Sequence, residues 1–119
     1  MAIEHTGIYV KNIEQAKAFY TAALAPLGYK LNMDFGESAG FKEGGHTSFW
    51  IGKKRYYQPS HVAFHAKTRQ AVRDFHKAAL KAGGKDNGKP GLRKDYSPDY
   101  YAAFILDKDG NNIEAVCFK

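Results

Sequence analysis

The feature that most constrains the fold of this chain is an internal repeat. The segment from Glu4 to Gly28, EHTGIYVKNIEQAKAFYTAALAPLG, aligns without a gap with the segment from Ser60 to Gly84, SHVAFHAKTRQAVRDFHKAALKAGG, at an offset of 56 residues. A histidine, a phenylalanine, the tripeptide AAL and a final glycine occupy the same positions in both copies. A helical apolar stripe can recur by chance, but this set of matches in one register indicates a duplicated unit.

Each copy of the repeat predicts a strand followed by a helix. The segments Ile3 to Val10 and His61 to Ala66 show alternating character and are rich in residues that favour strands. Asn12 and Thr68 then stand at helix N-cap positions, and an apolar stripe at helical spacing follows each of them. We therefore expect both helices to pack their stripes against a shared core.

The rest of each half predicts further strands. YKLNMDF, SAGFKE and TSFWIG follow the first helix, and YYAAFIL and NNIEAVCF form a hairpin around DKDG, with a short strand and a long loop expected in KDNGKPGLRKDYSPD between them. A length of 119 residues suits one domain with a single core. We predict an α+β fold of two tandem βαβββ modules, about residues 1–52 and 60–119, within one domain over 1–119.

The composition narrows the class of protein. Hydrophobic residues make up 44% of the chain and charged residues 25%, as in soluble globular proteins, and no window approaches the roughly 18 apolar residues that span a bilayer. Charged residues near the N-terminus interrupt any signal-peptide apolar region. The single cysteine, Cys117, cannot form an intramolecular disulfide and suits a reducing compartment. We expect a cytoplasmic protein with no membrane partner.

The formal net charge of +6 raises the question of a nucleic-acid partner. The densest basic cluster, GKKRYYQ at Gly52 to Gln58, mixes three cations with two tyrosines, which can grip phosphates and stack on bases. A short polar connection between two strands is the commoner origin of such a run. Because the other basic residues are diffuse, we expect no nucleic-acid partner; a mildly basic surface or attraction of anionic small molecules explains the charge.

Strand alternation places the repeated histidines on one face. His5 shares its face with Gly7 and Tyr9, while His61 shares its face with Ala63 and His65. The opposite faces are apolar and should meet the helices. The histidines are therefore predicted to point into whatever the curved sheet encloses.

The last strand adds a carboxylate to this face. Ile113, Ala115 and Cys117 match the helix-packed face, which leaves Glu114 on the side of the histidines. An ionised carboxylate in an enclosed place is costly unless it is paired or bound to a cation.

His5, His61 and Glu114 therefore predict a site for a divalent ion such as Fe, Mn, Zn or Ni, with open positions for substrate or water. A structural histidine is the commoner reading of a lone His on a strand, but the repeat register together with Glu114 favours a ligand.

The quoted segments resemble a known family. A strand-opening histidine followed by FYTAALAPLGY, a second HVAF and a closing DKDGNNIEAV resemble the glyoxalase/bleomycin resistance protein/extradiol dioxygenase superfamily, also called vicinal oxygen chelate proteins, over nearly the whole chain. The resemblance implies paired modules that form a cup-shaped curved mixed sheet, with helices outside and a metal at the base. It also implies that a monomer can close the cup, or that a homodimer completes the site.

The resemblance also indicates which residues would bind the metal ion. Its glyoxalase I pattern has four protein ligands, one from the first and one from the last strand of each module. His5, His61 and Glu114 fit three of these places, and Trp50 occupies the fourth. Because indole cannot ligate, this argues against ordinary glyoxalase I chemistry. The remaining three correspond to the 2-His-1-carboxylate set of the extradiol dioxygenases.

Two hypotheses of function follow. The first is a metal-dependent lyase or dioxygenase that acts on a small oxygenated metabolite, with His65 or a tyrosine near Tyr100 and Tyr101, of which Tyr101 is our candidate, moving protons.

The second hypothesis is a metal-free protein that binds a drug or metabolite in the cup. In either case Trp50 and Tyr9 are candidate walls for the small molecule. Arg93, on the Gly/Pro-rich loop, is a candidate partner for an anionic group, although an exposed loop cation explains it equally well.

Overall fold

The duplication is present in the three-dimensional structure. A computed structural model describes residues 3–119, so the first two residues of the predicted first module lie outside the described range. Module one contains β1 (Thr6–Val10), α1 (Ile13–Leu24) with a 3-10 turn (Ala25–Leu27), β2 (Lys30–Asp34), β3 (Ser38–Glu43) and β4 (His46–Lys53). Module two contains β5 (His61–His65), α2 (Arg69–Lys81), β6 (Lys85–Leu92), β7 (Tyr101–Leu106) and β8 (Asn112–Cys117). The predicted α+β fold of two tandem βαβββ modules is confirmed.

Each module builds its own four-stranded mixed sheet. The strand orders are β1-β4-β3-β2 and β5-β8-β7-β6. The first strand of each module pairs in parallel with the last, and the other pairs are antiparallel. The last strands are therefore central, while β1 and β5 lie at the edges of two separate sheets.

Three local predictions differ from the structure. β1 begins at Thr6 rather than at Ile3, so His5 precedes the strand. His46 follows Gly44 and Gly45, which predict a turn at this position, but it is the first residue of β4. The Gly/Pro-rich stretch contains the predicted strand and loop, but the strand, β6, is eight residues long, and its pairing with β7 shifts register around Gly88. An edge strand tolerates proline, glycine and bulges because one side of its backbone has no ladder to complete.

Both predicted N-caps are confirmed. The side chain of Asn12 accepts a hydrogen bond from the backbone N–H of Gln15, and that of Thr68 accepts one from Ala71, each at 3.0 Å. These bonds satisfy amide groups that the first turn of a helix leaves without partners. Within residues 3–119, no helix combines the length and apolar character that crossing a membrane requires.

The hydrophobic core lies between the helices and the inner faces of the two sheets. Tyr20 and Phe75, one from each helix, are fully buried there. Phe49 of β4 and Phe64 of β5 meet edge to face with ring centroids 5.0 Å apart. The core is therefore continuous between the modules, as a single domain of this size requires.

A buried polar network also joins the modules. The hydroxyl of Tyr20 donates to the carboxylate of Asp107 in the β7–β8 turn, and Asp107 also accepts from the side chain of Asn111 at 2.9 Å. Asp109 accepts from the backbone N–H of Lys11 and from the hydroxyl of Tyr57. The turn that closes module two thus binds the helix and strand end of module one.

Candidate functional site

The outward face of the module-two sheet carries the predicted polar residues. Along β5, Phe64 is buried toward the helices, while His61, Ala63 and His65 are exposed on the other side. Ala63 pairs with Glu114 of β8, which places that carboxylate on the same face. We call this outward surface the module-two face.

His61 and Glu114 are brought together on the module-two face. His61 Nε2 lies 3.2 Å from Glu114 Oε1, and the glutamate side chain is only 3% exposed. The other ring nitrogen, Nδ1, lies 2.9 Å from the carbonyl oxygen of Asn112. A carbonyl only accepts, so Nδ1 must donate, and in the neutral ring Nε2 turns a lone pair toward the carboxylate. A proton or a cation has to lie between these two acceptors.

Tyr100 holds the second carboxylate oxygen. Its hydroxyl donates to Glu114 Oε2. Burial is the main cause, and this hydrogen bond to the carboxylate the second, that raise the pKa of Tyr100 to about 12. The phenol therefore keeps its proton at neutral pH and stays a donor.

Tyr101 does not belong to this group. It pairs with Cys117 on the core side of the sheet, and its hydroxyl accepts a hydrogen bond from Arg73 of α2 at 3.1 Å. The guanidinium of Arg69 lies over its ring at 5.0 Å. Our choice of Tyr101 as the cleft tyrosine is thus corrected: strand alternation turns it toward the helix, and Tyr100 lies at the carboxylate.

Aromatic rings surround the His61–Glu114 pair. His61 stacks near Phe104 with centroids 6.4 Å apart, and His65 does the same with Phe118. Phe118 also meets Tyr100 edge to face at 5.3 Å. Sequence reasoning missed Phe104 and Phe118 as site residues, although the alternation of β7 would have placed Phe104 opposite Glu114.

Arg93 is held against the same surface. Its guanidinium lies 5.4 Å from the centre of the Phe104 ring. It donates to the carbonyl oxygens of Gly91 at 2.9 Å and Lys89 at 2.7 Å. These bonds fix a cation beside the module-two face, and they occupy part of its donor capacity.

His5 lies apart from the other predicted ligands. Its Nδ1 is 2.5 Å from the carboxylate of Glu4, and the Glu4 carbonyl oxygen is 2.9 Å from His46 Nε2. In the described part of the chain, no three His, Cys, Asp or Glu side chains are grouped so as to hold a metal ion. Convergence of His5, His61 and Glu114 within one chain is therefore wrong, because β1 and β5 lie in separate sheets.

The outward face of the module-one sheet is aromatic. Trp50 pairs with Gly7 on one side and Gly40 on the other, in the place that Glu114 takes beside Ala63. A side chain at Gly40 would come within 3.0 Å of the indole and 2.7 Å of a Thr47 methyl group. Glycine there lets the indole lie flat on the sheet. We call this surface the module-one face.

Further residues complete the module-one face. Phe35 stacks parallel to Trp50, with centroids 6.2 Å apart and an interplanar angle of 5°. Tyr9 is 47% exposed. A cleft of about 380 Å³ is lined by His5, Gly7, Ile8, Tyr9, Ser38, Trp50, Ile51 and Gly52. The predicted walls Tyr9 and Trp50 thus share one cleft with His5.

The side chains of His61 and Glu114 on the module-two face are of the types that bind divalent metal ions. Imidazole nitrogen and carboxylate oxygen are ligands for Zn, Mn, Fe and Ni. His61 Nε2 and Glu114 Oε1 lie 3.2 Å apart, close enough for both to reach one ion. Catalytic zinc sites use about three protein ligands, so the pair in one chain forms an incomplete set.

Comparisons with known proteins agree with this architecture. The sequence model of the Glyoxalase/Bleomycin resistance protein/Dioxygenase superfamily matches residues 2–115. A glyoxalase/bleomycin resistance protein from Albidiferax ferrireducens T118 is 27% identical and superposes with a TM-score of 0.86, over 98% of this chain and 99% of that one. No curated protein gives a significant match.

More distant solved structures share the fold. A lactoylglutathione lyase from Agrobacterium tumefaciens is 18% identical with a TM-score of 0.73, over 98% of this chain and 92% of that one. A glyoxalase-related enzyme from Fulvimarina pelagi is 12% identical with a TM-score of 0.75, over 98% and 88%. At these identities the likeness concerns the fold.

Proposed function

This chain belongs to the glyoxalase/bleomycin resistance protein/dioxygenase superfamily, and from that premise we propose that it is a cytoplasmic, divalent-metal-dependent enzyme acting on a small oxygenated metabolite. Its metal ligands are His61 and Glu114 of one chain and His5 of a second copy. The reaction is of the lyase or dioxygenase type.

The observation that carries this proposal is the pair of neighbouring acceptor atoms, His61 Nε2 and Glu114 Oε1, on the module-two face. The hydrogen bond from His61 Nδ1 to the Asn112 carbonyl leaves Nε2 as the ligand atom, an arrangement typical of metal-bound histidines. Glu114 is buried, yet no lysine or arginine among residues 3–119 forms an ion pair with it. A divalent ion would neutralise the carboxylate, with His61 Nε2 and the Glu114 carboxylate as two of its ligands.

The third ligand is assigned to a second copy for reasons of position. His5 corresponds to His61 in the repeat but directly precedes β1, at the edge of the other sheet of its own chain. The outward faces of both sheets carry exposed aromatic residues, such as Phe35 at 70% and Phe118 at 51% exposed. A two-fold related copy can set the β1 edge of one sheet beside the β5 edge of the other and cover both faces.

In that arrangement the chain's own residues have distinct roles. The ion, when bound, supplies Lewis-acid polarisation of substrate oxygens. Tyr100 holds Glu114 in place through its hydroxyl proton. His65, stacked on Phe118, is exposed at the same face and is the candidate for proton transfer. Trp50 and Tyr9 provide a flat apolar wall.

The test is metal binding by the full chain, purified without an affinity tag and stripped with a chelator. Calorimetric titration with Zn(II) or Mn(II) should give one site per chain, and either His61→Ala or Glu114→Gln should abolish it. His65→Ala removes a neighbouring imidazole and should leave the stoichiometry unchanged. Absence of stoichiometric binding by the wild-type chain, or equal loss in all three variants, would refute the assignment.

A second candidate function has its own support in the module-one face. Trp50, with Phe35 stacked on it and Tyr9 beside it, forms an aromatic cleft with no ionisable group at the place of Glu114. A metal-free protein that sequesters an aromatic drug or metabolite would use such a surface. Quenching of the single tryptophan by candidate ligands, unchanged by a chelator, favours this alternative over the metal-dependent enzyme.

A further inference from the structure

A second cleft, outside both faces, collects positive charge. It has a volume of about 490 Å³ and is lined by Lys11, Lys53, Lys54, Arg55 and Tyr56, at the end of β4 and the start of the connection between the modules. A neighbouring cleft of about 310 Å³ shares three of these residues and adds Tyr57, Pro59 and Asp109. We call the first of these the basic cleft.

The positive charge of the basic cleft is not neutralised by the protein. Among residues 3–119, none of its four cationic side chains forms an ion pair. The carboxylate that borders it is Asp109, whose Oδ1 already accepts the Lys11 backbone N–H at 3.0 Å and the Tyr57 hydroxyl at 2.7 Å. Glu37, whose carbonyl oxygen accepts the Lys53 N–H at 2.8 Å, is a second acidic residue nearby. Two carboxylates beside four cations still leave a local excess of positive charge, which attracts anions.

Aromatic rings accompany these cations. Lys54 Nζ lies 4.7 Å from the centre of the Tyr9 ring, and the Arg55 guanidinium lies 5.5 Å from that of Tyr56. Tyr9 is 47% exposed and Tyr56 is 77% exposed. The cation–π contacts thus hold the charges close to aromatic side chains that are partly exposed to solvent.

The basic cleft adjoins the module-one face through the contact of Lys54 with Tyr9. Tyr9 lines the 380 Å³ cleft together with Trp50, and Lys54, which contacts the Tyr9 ring, lines the basic cleft. An apolar floor thus passes directly into a cationic rim. We propose that this junction binds a small organic anion whose aromatic ring lies on Tyr9 and whose carboxylate or phosphate meets Lys54 and Arg55.

Calorimetry with matched probes tests this proposal. The intact chain, at low ionic strength, is titrated with 2-naphthoate, 2-naphthyl phosphate and the neutral 2-naphthamide. At least one anion should bind about tenfold more tightly than the amide, and the tighter anion identifies the preferred group. The double variant Lys54→Gln/Arg55→Gln should lose about tenfold in affinity for that anion and leave the amide unchanged.

Two controls separate local recognition from general charge and from the metal site. Lys77→Gln/Lys81→Gln removes the same charge from exposed positions on α2 and should change the affinity by less than about twofold. Glu114→Gln should leave anion binding intact, so failure of the metal proposal would not affect this one.

Three results would overturn the proposal. The first is equal affinity for the acids and the amide, or no binding up to millimolar concentration. The second is an equal loss of affinity in the α2 control variant. The third is tighter, competing binding of a thymidine oligonucleotide, which would assign the basic cleft to single-stranded nucleic acid.

Discussion

At the scale of single residues, Tyr20 links the two modules, a role that its position in the repeat does not predict. Its ring is fully buried, and its hydroxyl donates to Asp107 of the other module. Burial and the nearby Asp107 carboxylate raise the pKa of Tyr20 well above its ordinary value, so that it remains a donor. The corresponding residue of the second copy is His76, which has a different partner.

We predict that Tyr20→Phe lowers the free energy of unfolding by about 1–3 kcal/mol, because the buried Asp107 carboxylate loses a hydrogen bond. Urea denaturation followed by circular dichroism measures this. Tyr29→Phe removes a hydroxyl from a half-buried ring that packs on Phe64, and it should change the stability by less than about 0.5 kcal/mol. A Tyr20→Phe protein as stable as the wild type would contradict the assigned role.

A second prediction at the scale of single residues concerns Gly40, on which the indole of Trp50 packs. Gly40→Ala places a methyl group within 3.0 Å of the ring and should destabilise the fold by about 1–3 kcal/mol. It should also shift the emission of Trp50, the single tryptophan. Gly45→Ala is the matched control, because nothing lies within 4 Å of the added carbon. Identical emission in both variants would refute the packing of Trp50 over Gly40.

Sequence alternation predicted which strand residues face outward but not which tyrosine meets Glu114. The positions of His61, His65 and Glu114 followed from the two-residue period of β5 and β8. Tyr100 precedes β7, where no period applies, so only the three-dimensional path of the loop brings it to the carboxylate.

At the scale of elements, a side-chain hydrogen bond joins α2 to β6. His76 Nε2 donates to Asp86 Oδ1 at 2.9 Å, and the histidine side chain is only 10% exposed. This hydrogen bond is the main cause that lowers the pKa of Asp86 below its ordinary value of 3.8, and a hydrogen bond from the Gly88 backbone N–H is the second. The folded state therefore holds the Asp86 proton less readily than the unfolded chain does.

The sign of the pH dependence follows from that shift. The stabilisation by Asp86 is present above the unfolded pKa of about 3.9 and is lost as the pH falls through the lower folded value. We predict that Asp86→Asn lowers the melting temperature at pH 7 and that the difference from wild type shrinks below about pH 4. Melting curves between pH 7 and pH 3 measure it, with Asp95→Asn on an exposed loop as control. A difference independent of pH would contradict the stabilisation of the ionised Asp86 carboxylate in the folded state.

The sequence of elements was predictable, while their grouping into sheets was not. Asn12 and Thr68 marked the helix starts, and the repeat required the second module to copy the first. Nothing in local periodicity says whether the two modules share one sheet. The described chain has two, because the helices and the Phe49–Phe64 contact join the modules through the core instead.

At the scale of the whole molecule, the separate sheets determine what one chain can do alone. The module-two face presents two donors, His61 and Glu114, and the module-one face presents His5 and an aromatic cleft. The repeat and strand alternation predicted the types of the candidate ligands, His5, His61 and Glu114. Whether these side chains come together depends on how the modules are arranged in space. In the proposed metal-dependent enzyme, a symmetric pair of chains that sets the β1 edge beside the β5 edge would bring these residues together.

The most direct test of the shared site is metal binding by mixed chains. His5→Ala and Glu114→Gln should each bind little Zn(II), because each lacks one ligand at both sites of its dimer. Dissociated and reassociated together, they should regain about a quarter of the wild-type stoichiometry, since half of the dimers then contain one complete site. No recovery after verified chain exchange, or full metal binding by His5→Ala alone, would contradict a site built from two copies.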